Sequence, residues 1–288
     1  MTGATATQRR PLTRASTVAA LIPHYACDEW LGDALETLVA QTRPLDAIVV
    51  IDDASDEPPV EVVLRHEQVT LLQADRNGGP YRLVQQVIDD FPFDAYLFQD
   101  ADDWTSLERL ELLLAAAEDA GAEMVGTQEV RVFCDDPEAV PVAWPTDVNA
   151  TLAERPTAFC LLHPTSLVSR DLVVALGGFA TGLRFSGDAE FLRRAAHVAR
   201  VVNIPERCYF RRIRPRSLTT ARHTGLDSPA RKRLMEALWE RARSNAALAV
   251  QGHEPRLEPY ATAPPVVLTH LAGPELTRAP ITMAKEPV

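Results

Sequence analysis

The stretch Ala95-Tyr96-Leu97-Phe98-Gln99-Asp100-Ala101-Asp102-Asp103-Trp104 decides how the chain is read. Four apolar residues in a row suit a strand buried on both faces, and the carboxylates that follow stand at its C-terminal end. In open α/β sheets ligands bind beyond that end of the strands. The spacing Asp100-x-Asp102 brings two acids to one strand end, where a divalent cation and a diphosphate can meet. Taken alone, the cluster also fits a simpler role, because Asp103, Thr105 or Ser106 can cap a helix that begins at 107.

Working outward, the same pattern recurs. Residues 18–22 read as a buried strand, followed by a loop at 23–27 and by Leu31, Ala34, Leu35, Leu38 and Val39 at helical spacing, with Asp28 as candidate N-cap. Residues 47–51 form a β-branched strand that ends at Asp52-Asp53, and 69–73 form another. The turn Asn77-Gly78-Gly79-Pro80 precedes a helix over 81–90, and a further helix spans about 107–120. Strands alternating with helices predict an α/β fold with a doubly wound, mainly parallel sheet, whose loops at 23–27, 52–57 and 100–106 share one edge. At that edge an acid of the Asp52-Asp53 pair can accept a hydrogen bond from a base imide or a ribose, or close an Asx turn. Tyr25 can stack on a nucleobase or simply pack.

Beyond residue 124 the pattern loosens. A strand at 130–133, a Pro-containing stretch at 137–156, a helix near 170–176 ending at Gly177-Gly178 and another over 188–197 are expected. Ser228-Pro229 is an N-cap and N1 pair for a helix reaching about 250. Seven prolines in the last 36 residues argue against a packed element there.

Composition narrows the classes. The 288 residues are 46% hydrophobic and 24% charged, enough for a sizeable core. A net charge of −11 argues against a nucleic-acid binder held by phosphate contacts. Four scattered cysteines without a CxxC pair suit reduced thiols and a cytoplasmic location. No apolar run approaches the ~20 residues of a membrane span. The basic 211–216 segment is the one place where peripheral membrane contact suggests itself. An arginine-heavy chain with two lysines suggests a GC-rich bacterial source.

The motifs Leu21-Ile22-Pro23-His24-Tyr25, Ile48-Val49-Val50-Ile51-Asp52-Asp53-Ala54-Ser55, Asn77-Gly78-Gly79-Pro80 and Phe98-Gln99-Asp100-Ala101-Asp102-Asp103 resemble, in order and spacing over residues 18–220, those of the family 2 glycosyltransferases. Leu176-Gly177-Gly178-Phe179 and Phe185-Ser186-Gly187-Asp188-Ala189-Glu190-Phe191 resemble that family's second-half motifs. The resemblance implies a GT-A fold with an acceptor-side elaboration in the second half. It also implies inverting transfer of a sugar from a nucleotide-diphosphate donor, most simply a UDP-sugar, to a hydroxyl acceptor. By the same resemblance Pro23, Tyr25 and Asp53 line the base and ribose site, Asp100 faces the ribose or the metal, Asp102 is the principal ligand of Mg²⁺ or Mn²⁺, and Asp188 is the general base. Glu190 is the reserve base, since the acid that often precedes the base is Gly187 here. The implied organisation is a disordered leader (1–17), a nucleotide-sugar-binding half (18–125), an acceptor and catalytic-base half (126–226), a C-terminal helix (227–251) and an irregular Pro-rich tail (252–288).

Two positions depart from the family pattern. Leu83-Val84-Gln85 stands where an Arg-Asn pair is common, leaving Arg76 or Arg82 to supply the charge. Arg214 stands where many members carry a metal-binding His; an arginine cannot ligate a cation but can clamp a diphosphate oxygen, and His223 is a nearby substitute ligand. His163 is expected to be structural. These departures keep open a catalytically silent nucleotide-sugar binding or scaffold subunit of the same fold. A nucleotidyltransferase would carry a Gly-rich basic loop after the first strand, which Pro23-His24-Tyr25-Ala26 lacks. The acceptor, whether glycan, lipid-linked glycan, peptide or small metabolite, is not encoded in any readable motif.

Overall fold

The computed structural model describes residues 9–134, 136–215 and 217–278. Residues 1–8 of the expected leader, Arg216 of the basic segment and 279–288 of the tail lie outside them. In chain order the elements are β1 (Val18–His24), α1 (Asp28–Val39), β2 (Ala47–Asp52), α2 (Val60–Val63), β3 (Val69–Ala74), α3 (Pro80–Asp90), β4 (Ala95–Phe98), β5 (Trp104–Thr105), α4 (Arg109–Ala120), β6 (Met124–Phe133), β7 (Asp136–Val142), α5 (Val148–Glu154), β8 (Leu167–Ser169), α6 (Arg170–Ala175), α7 (Gly187–Ala195), β9 (Val201–Ile213), α8 (Pro229–Val250) and β10 (Leu268–Ala272).

The sheet runs β10-β3-β2-β1-β4-β8-β6-β9-β5, with β7 paired to β6. Its core, β3-β2-β1-β4, is parallel throughout. Side chains alternate across it as the pleat requires. Ala19 and Leu21 of β1, with Val49 and Ile51 of β2, join the cluster that holds Leu83, Val84, Val87 and Ile88 of α3. Val18, Ala20 and Ile22, with Ile48 and Val50, join the cluster beneath Leu31, Leu35 and Leu38 of α1 and Leu110, Leu113 and Leu114 of α4. Burial on both faces explains the unbroken apolar runs of the parallel strands. Each fully buried leucine contributes about 1.5–3 kcal/mol.

Several sequence expectations are corrected. Asp28 does not cap α1; Cys27 occupies the N-cap without a side-chain bond. β6 begins at Met124, and the 137–156 stretch contains most of β7 together with α5, which Asp147 caps by accepting from Ala150 N at 2.9 Å. β9, with 13 residues the longest strand among the described ones, is not expected from a segment carrying Pro205 and four charged side chains. Parallel pairing with β6 holds it in place. Residues 9–17 are not a free leader: Leu12 is buried, and Arg9 forks onto Glu123 with Nε to Oε1 at 2.6 Å and Nη2 to Oε2 at 2.9 Å. Nor is the tail wholly irregular. The unpaired edge of β3 recruits β10 antiparallel, and Pro264, Pro265 and Pro274 flank that strand rather than interrupt it. At 229–250 the helix is as the sequence predicts, with Ser228 accepting from Arg231 N.

Candidate active site

Strand order reverses between β1 and β4, so the loops leaving these strands splay apart and open a crevice at the switch point. Among the described residues, three non-glycine residues have left-handed backbones: Ala26 (φ 45°) after β1, Ala54 (φ 59°) after β2 and Ser186 (φ 64°) before α7. Such conformations cost of order 1–3 kcal/mol and persist where surrounding structure enforces them. All three stand beside sequence-predicted site residues.

Pro23 and His24 lie in register with Ile51 and Asp52. Asp52 is fully buried and occupied: its oxygens meet His24 Nδ1 at 2.9 Å, Ser55 N at 2.9 Å and Gln73 Nε2 at 3.1 Å. Burial opposes ionisation of Asp52, yet these donors, His24 foremost, hold its pKa below the usual carboxylate value. Asp53 accepts from Gly78 N at 2.6 Å and Gly79 N at 2.9 Å, fixing the turn before α3, and burial pushes its carboxyl up. Tyr25 is 59% exposed, an aromatic face open to solvent beside this floor. Arg82 acts electrostatically on Asp53, whereas Arg76 is held by Asp75 and Pro265 O.

The acid loop is not a helix cap. α4 begins at Arg109 with Glu108 in the cap position, and Gln41 Oε1 accepts from Leu110 N at 2.9 Å in place of Asp103, Thr105 or Ser106. Instead Asp100, Asp102 and Asp103 offer carboxylate oxygens within 4.8 Å of one another. Asp103 is the anchor, buried and accepting from Tyr209 Oη at 2.8 Å and Arg212 N at 2.7 Å. Those bonds bring the end of β9 alongside the loop, and there Arg214 Nε donates to Asp102 at 2.6 Å while its Nη2 reaches Cys27 Sγ at 3.2 Å. Burial together with the Asp100 and Asp102 charges raises Asp103 well above the usual range. Desolvation and the Asp102 carboxylate push Asp100 up to about 7. Because Asp100 is itself exposed, the neighbouring charge is the weightier cause. Beneath the loop lies Arg109, fully buried, donating to Gln99 Oε1 at 2.8 Å, Phe98 O at 2.9 Å and Pro164 O at 2.6 Å. Its guanidinium makes no ion pair among the described residues and faces Asp100 and Asp103 electrostatically.

Asp188 sits in the first turn of α7, after Ser186 at the N-cap, so it is not the cap either. It accepts from Tyr81 Oη at 2.8 Å. Gly187 makes that possible: a Cβ there would meet the Tyr81 ring at 2.7 Å. The glycine at the position where an acid is common is thus matched to the tyrosine that holds the next residue. Glu190 is excluded as a reserve base. It is buried in a fork with Arg194, both bonds 2.8 Å, and also accepts from Tyr260 N at 2.9 Å. Gln85, at the altered Arg-Asn position, accepts from Phe179 N at 2.8 Å and ties α3 to the Gly177-Gly178-Phe179 turn. His163 packs between Phe98 (4.1 Å) and Phe179 (5.5 Å), and burial lowers its pKa to about 4, consistent with a structural role.

The structure therefore gathers Asp100, Asp102, Asp103 and Arg214 in one cluster, with Asp188 close enough to act electrostatically on Asp100. Pro23, Tyr25 and Asp53 lie on the adjoining strand ends. His223 is exposed and outside the carboxylate cluster. Sequence reading missed Tyr81, Arg109 and Tyr209, the residues that orient or balance the acids. Tyr81 and Arg109 stand in the first turns of helices that follow site loops, the only trace of their role in the sequence.

The family model described as "Glycosyl transferase family 2" matches residues 19–176, more than half of the chain. The chain is a family 2 glycosyltransferase. Its fold is shared with S. aureus TarS. In complex with UDP-GlcNAc, residues 1–349 of TarS align with a TM-score of 0.64 and 19% identity over 81% of this chain and 73% of that one. The complex of the same TarS segment with UDP gives 0.58 and 17% over 81% and 72%. Against a longer TarS structure the TM-score is 0.59 at 19% identity, and the match covers 79% of this glycosyltransferase but only 43% of TarS. No curated protein matches the sequence significantly. Among the described residues no helix is long and apolar enough to cross a membrane, and all four cysteines are free.

Proposed function

We propose that this glycosyltransferase moves a sugar from a nucleotide-diphosphate donor, a UDP-sugar, to an acceptor hydroxyl with inversion at the anomeric carbon. The observation that carries the reading is the pairing of an acid cluster at the β1–β4 switch point with Asp188, a half-buried carboxylate whose hydrogen-bond donor is Tyr81 alone among the described residues. The UDP and UDP-GlcNAc held by TarS in its complexes support the choice of donor.

In this mechanism Tyr25 stacks on the base, and Pro23 and Asp53 border the base and ribose. Hard cations prefer oxygen ligands, and the carboxylates of Asp102 and Asp100 form such a donor set, with Asp102 the principal ligand and Asp103 kept for structure. A bound Mg²⁺ or Mn²⁺ would supply charge stabilisation to the departing diphosphate. Arg214, which pairs with Asp102, shares its remaining donors with a diphosphate oxygen, a role that the planar fork of a guanidinium supports. Asp188, oriented by Tyr81, takes the proton of the attacking hydroxyl as that oxygen bonds to the anomeric carbon and the bond to the diphosphate breaks. The step is a single displacement and needs no covalent intermediate. Four free cysteines, three of them buried, suit a reducing, cytoplasmic setting.

Titration calorimetry with UDP, with and without Mn²⁺, tests the donor and metal roles together. UDP is expected to bind, Mn²⁺ to tighten it, and Asp102→Asn to weaken the Mn²⁺-dependent part at least ~10-fold. Absence of UDP binding to the wild-type chain, or identical behaviour of the variant, would overturn the assignment.

A further inference from the structure

Two arginines that the proposed reaction does not use act on its acids, Arg231 on Asp188 and Arg211 on Asp100. Arg231, in the first turn of α8, is 7% exposed. Its guanidinium sits 4.7 Å above the Phe185 ring, three residues before Asp188, and its one hydrogen bond is from Nη2 to Leu218 O at 3.3 Å. The Nε atom is buried without a partner. Arg211 follows Tyr209 by two residues on β9, so the pleat sends it to the face from which Tyr209 contacts the acid loop. Arg212, of opposite parity, stacks on Trp30 and Trp104 instead. Among the described residues neither Arg211 nor Arg231 forms an ion pair, whereas Arg212 and Arg214 on the same segment pair with Asp33 and Asp102. The two act electrostatically on each other, with Arg231 near Asp188 and Arg211 near Asp100.

A buried guanidinium is costly unless an anion or a full set of acceptors meets it. Arg231 has one long bond and a repelling neighbour, and the carboxylate that acts on it, Asp188, must stay free to accept a proton in the proposed reaction. In a chain of net charge −11, two unpaired arginines at one end of an acidic cleft form an attractive spot where the overall field repels anions. The N-terminus of the 22-residue helix α8 adds its partial positive charge in the same place. Donor diphosphate and cation belong to the acid loop, so a second anion here comes from the other substrate. We propose that Arg211 and Arg231 form a subsite for an anionic group, a phosphate ester or a carboxylate, carried by the acceptor beside its attacking hydroxyl. The inference rests on the donor and base assignments above and adds the chemical class of the acceptor. A neutral acceptor would leave both cations unpaired; one bearing a phosphate ester or a carboxylate would pair them and hold its hydroxyl next to Asp188.

The test is titration of glycerol 3-phosphate, inorganic phosphate and glycerol into the full chain saturated with UDP and Mg²⁺, which fills the donor site first. Glycerol 3-phosphate is expected to bind at least as well as phosphate, and glycerol not at all. Affinity for glycerol 3-phosphate falls at least ~10-fold in Arg211→Gln and in Arg231→Gln while UDP affinity stays within about 2-fold. Arg211 is half-buried, so its variant decides the matter should Arg231→Gln fail to fold. Unchanged affinity in Arg211→Gln, exclusion of glycerol 3-phosphate where phosphate binds, or an equal loss of UDP affinity would overturn the proposal. A chain that binds no UDP yet binds phosphate through both arginines would overturn the donor reading and leave the anion subsite standing.

Discussion

The acid loop after β4 and the first turn of α7 are built alike. Each has one carboxylate tied inward and another left to the cleft: Asp103 is held by Tyr209 and the Arg212 backbone, Glu190 by Arg194 and Tyr260 N. They differ in what meets the outward acid. Asp102 lies 2.6 Å from Arg214 beside Asp100 and Asp103, both held above the usual carboxylate range, whereas Asp188 has a neutral hydroxyl donor and no ion pair within 4 Å among the described residues. Several carboxylates together can share a cation; a single carboxylate with a free lone pair can accept a hydrogen bond from an attacking hydroxyl. The difference between the proposed metal ligand and the proposed base is set by neighbours, since the side chains are the same.

Exchanging the roles of the two acids on α7 is the largest effect expected. Asp188→Asn lowers donor turnover about 10³-fold while leaving the melting temperature and UDP affinity near wild type. Glu190→Gln does the reverse, costing about 3–5 kcal/mol of stability by breaking a buried fork and leaving turnover of the folded protein nearly intact. Steady-state kinetics alongside denaturant melts would show it, and a Glu190→Gln protein that is stable but inactive would swap the assignments.

A smaller effect falls on Tyr81. Removing its hydroxyl in Tyr81→Phe takes away about 1 kcal/mol of orientation, a loss of roughly 5-fold in turnover, with UDP binding unchanged. Equal activity in the variant would mean that Gly187 and the ring, without the hydroxyl, suffice to hold Asp188.

The smallest effect concerns His163, packed beneath both regions. Folded, its buried imidazole stays neutral down to about 4; unfolded, it takes up a proton near the ordinary 6.5. The unfolded state therefore binds more protons in that window, and stability falls as pH drops from about 6.5 towards 4. His163→Phe flattens this part of the stability profile. A chemical-denaturation series across that range checks it, and an identical slope in the variant would place the acid sensitivity elsewhere.

In the N-terminal half, periodicity carried most of the fold. Buried parallel strands must be apolar on both faces, so 18–22, 47–51 and 95–98 announce themselves, and the acids at their ends follow from where the strands stop. The second half was less legible because its strands are held by partners distant in sequence. β9 owes its extended form to β6 despite Pro205 and its charges, and β10 to the open edge of β3 despite the surrounding prolines.

By itself the sequence determined which acids stand at strand ends and in which order, and through its motifs the family. Tertiary structure alone decided what each acid can do. Asp100, Asp102, Asp103, Asp188 and Glu190 are chemically near-equivalent along the chain. They differ only when folding sets Tyr209, Arg214, Tyr81 or Arg194 against them, and the proposed roles of cation ligand and base rest on those contacts. Carboxylate reactivity depends on desolvation and on charges a few ångströms away, and those distances are properties of the packed fold.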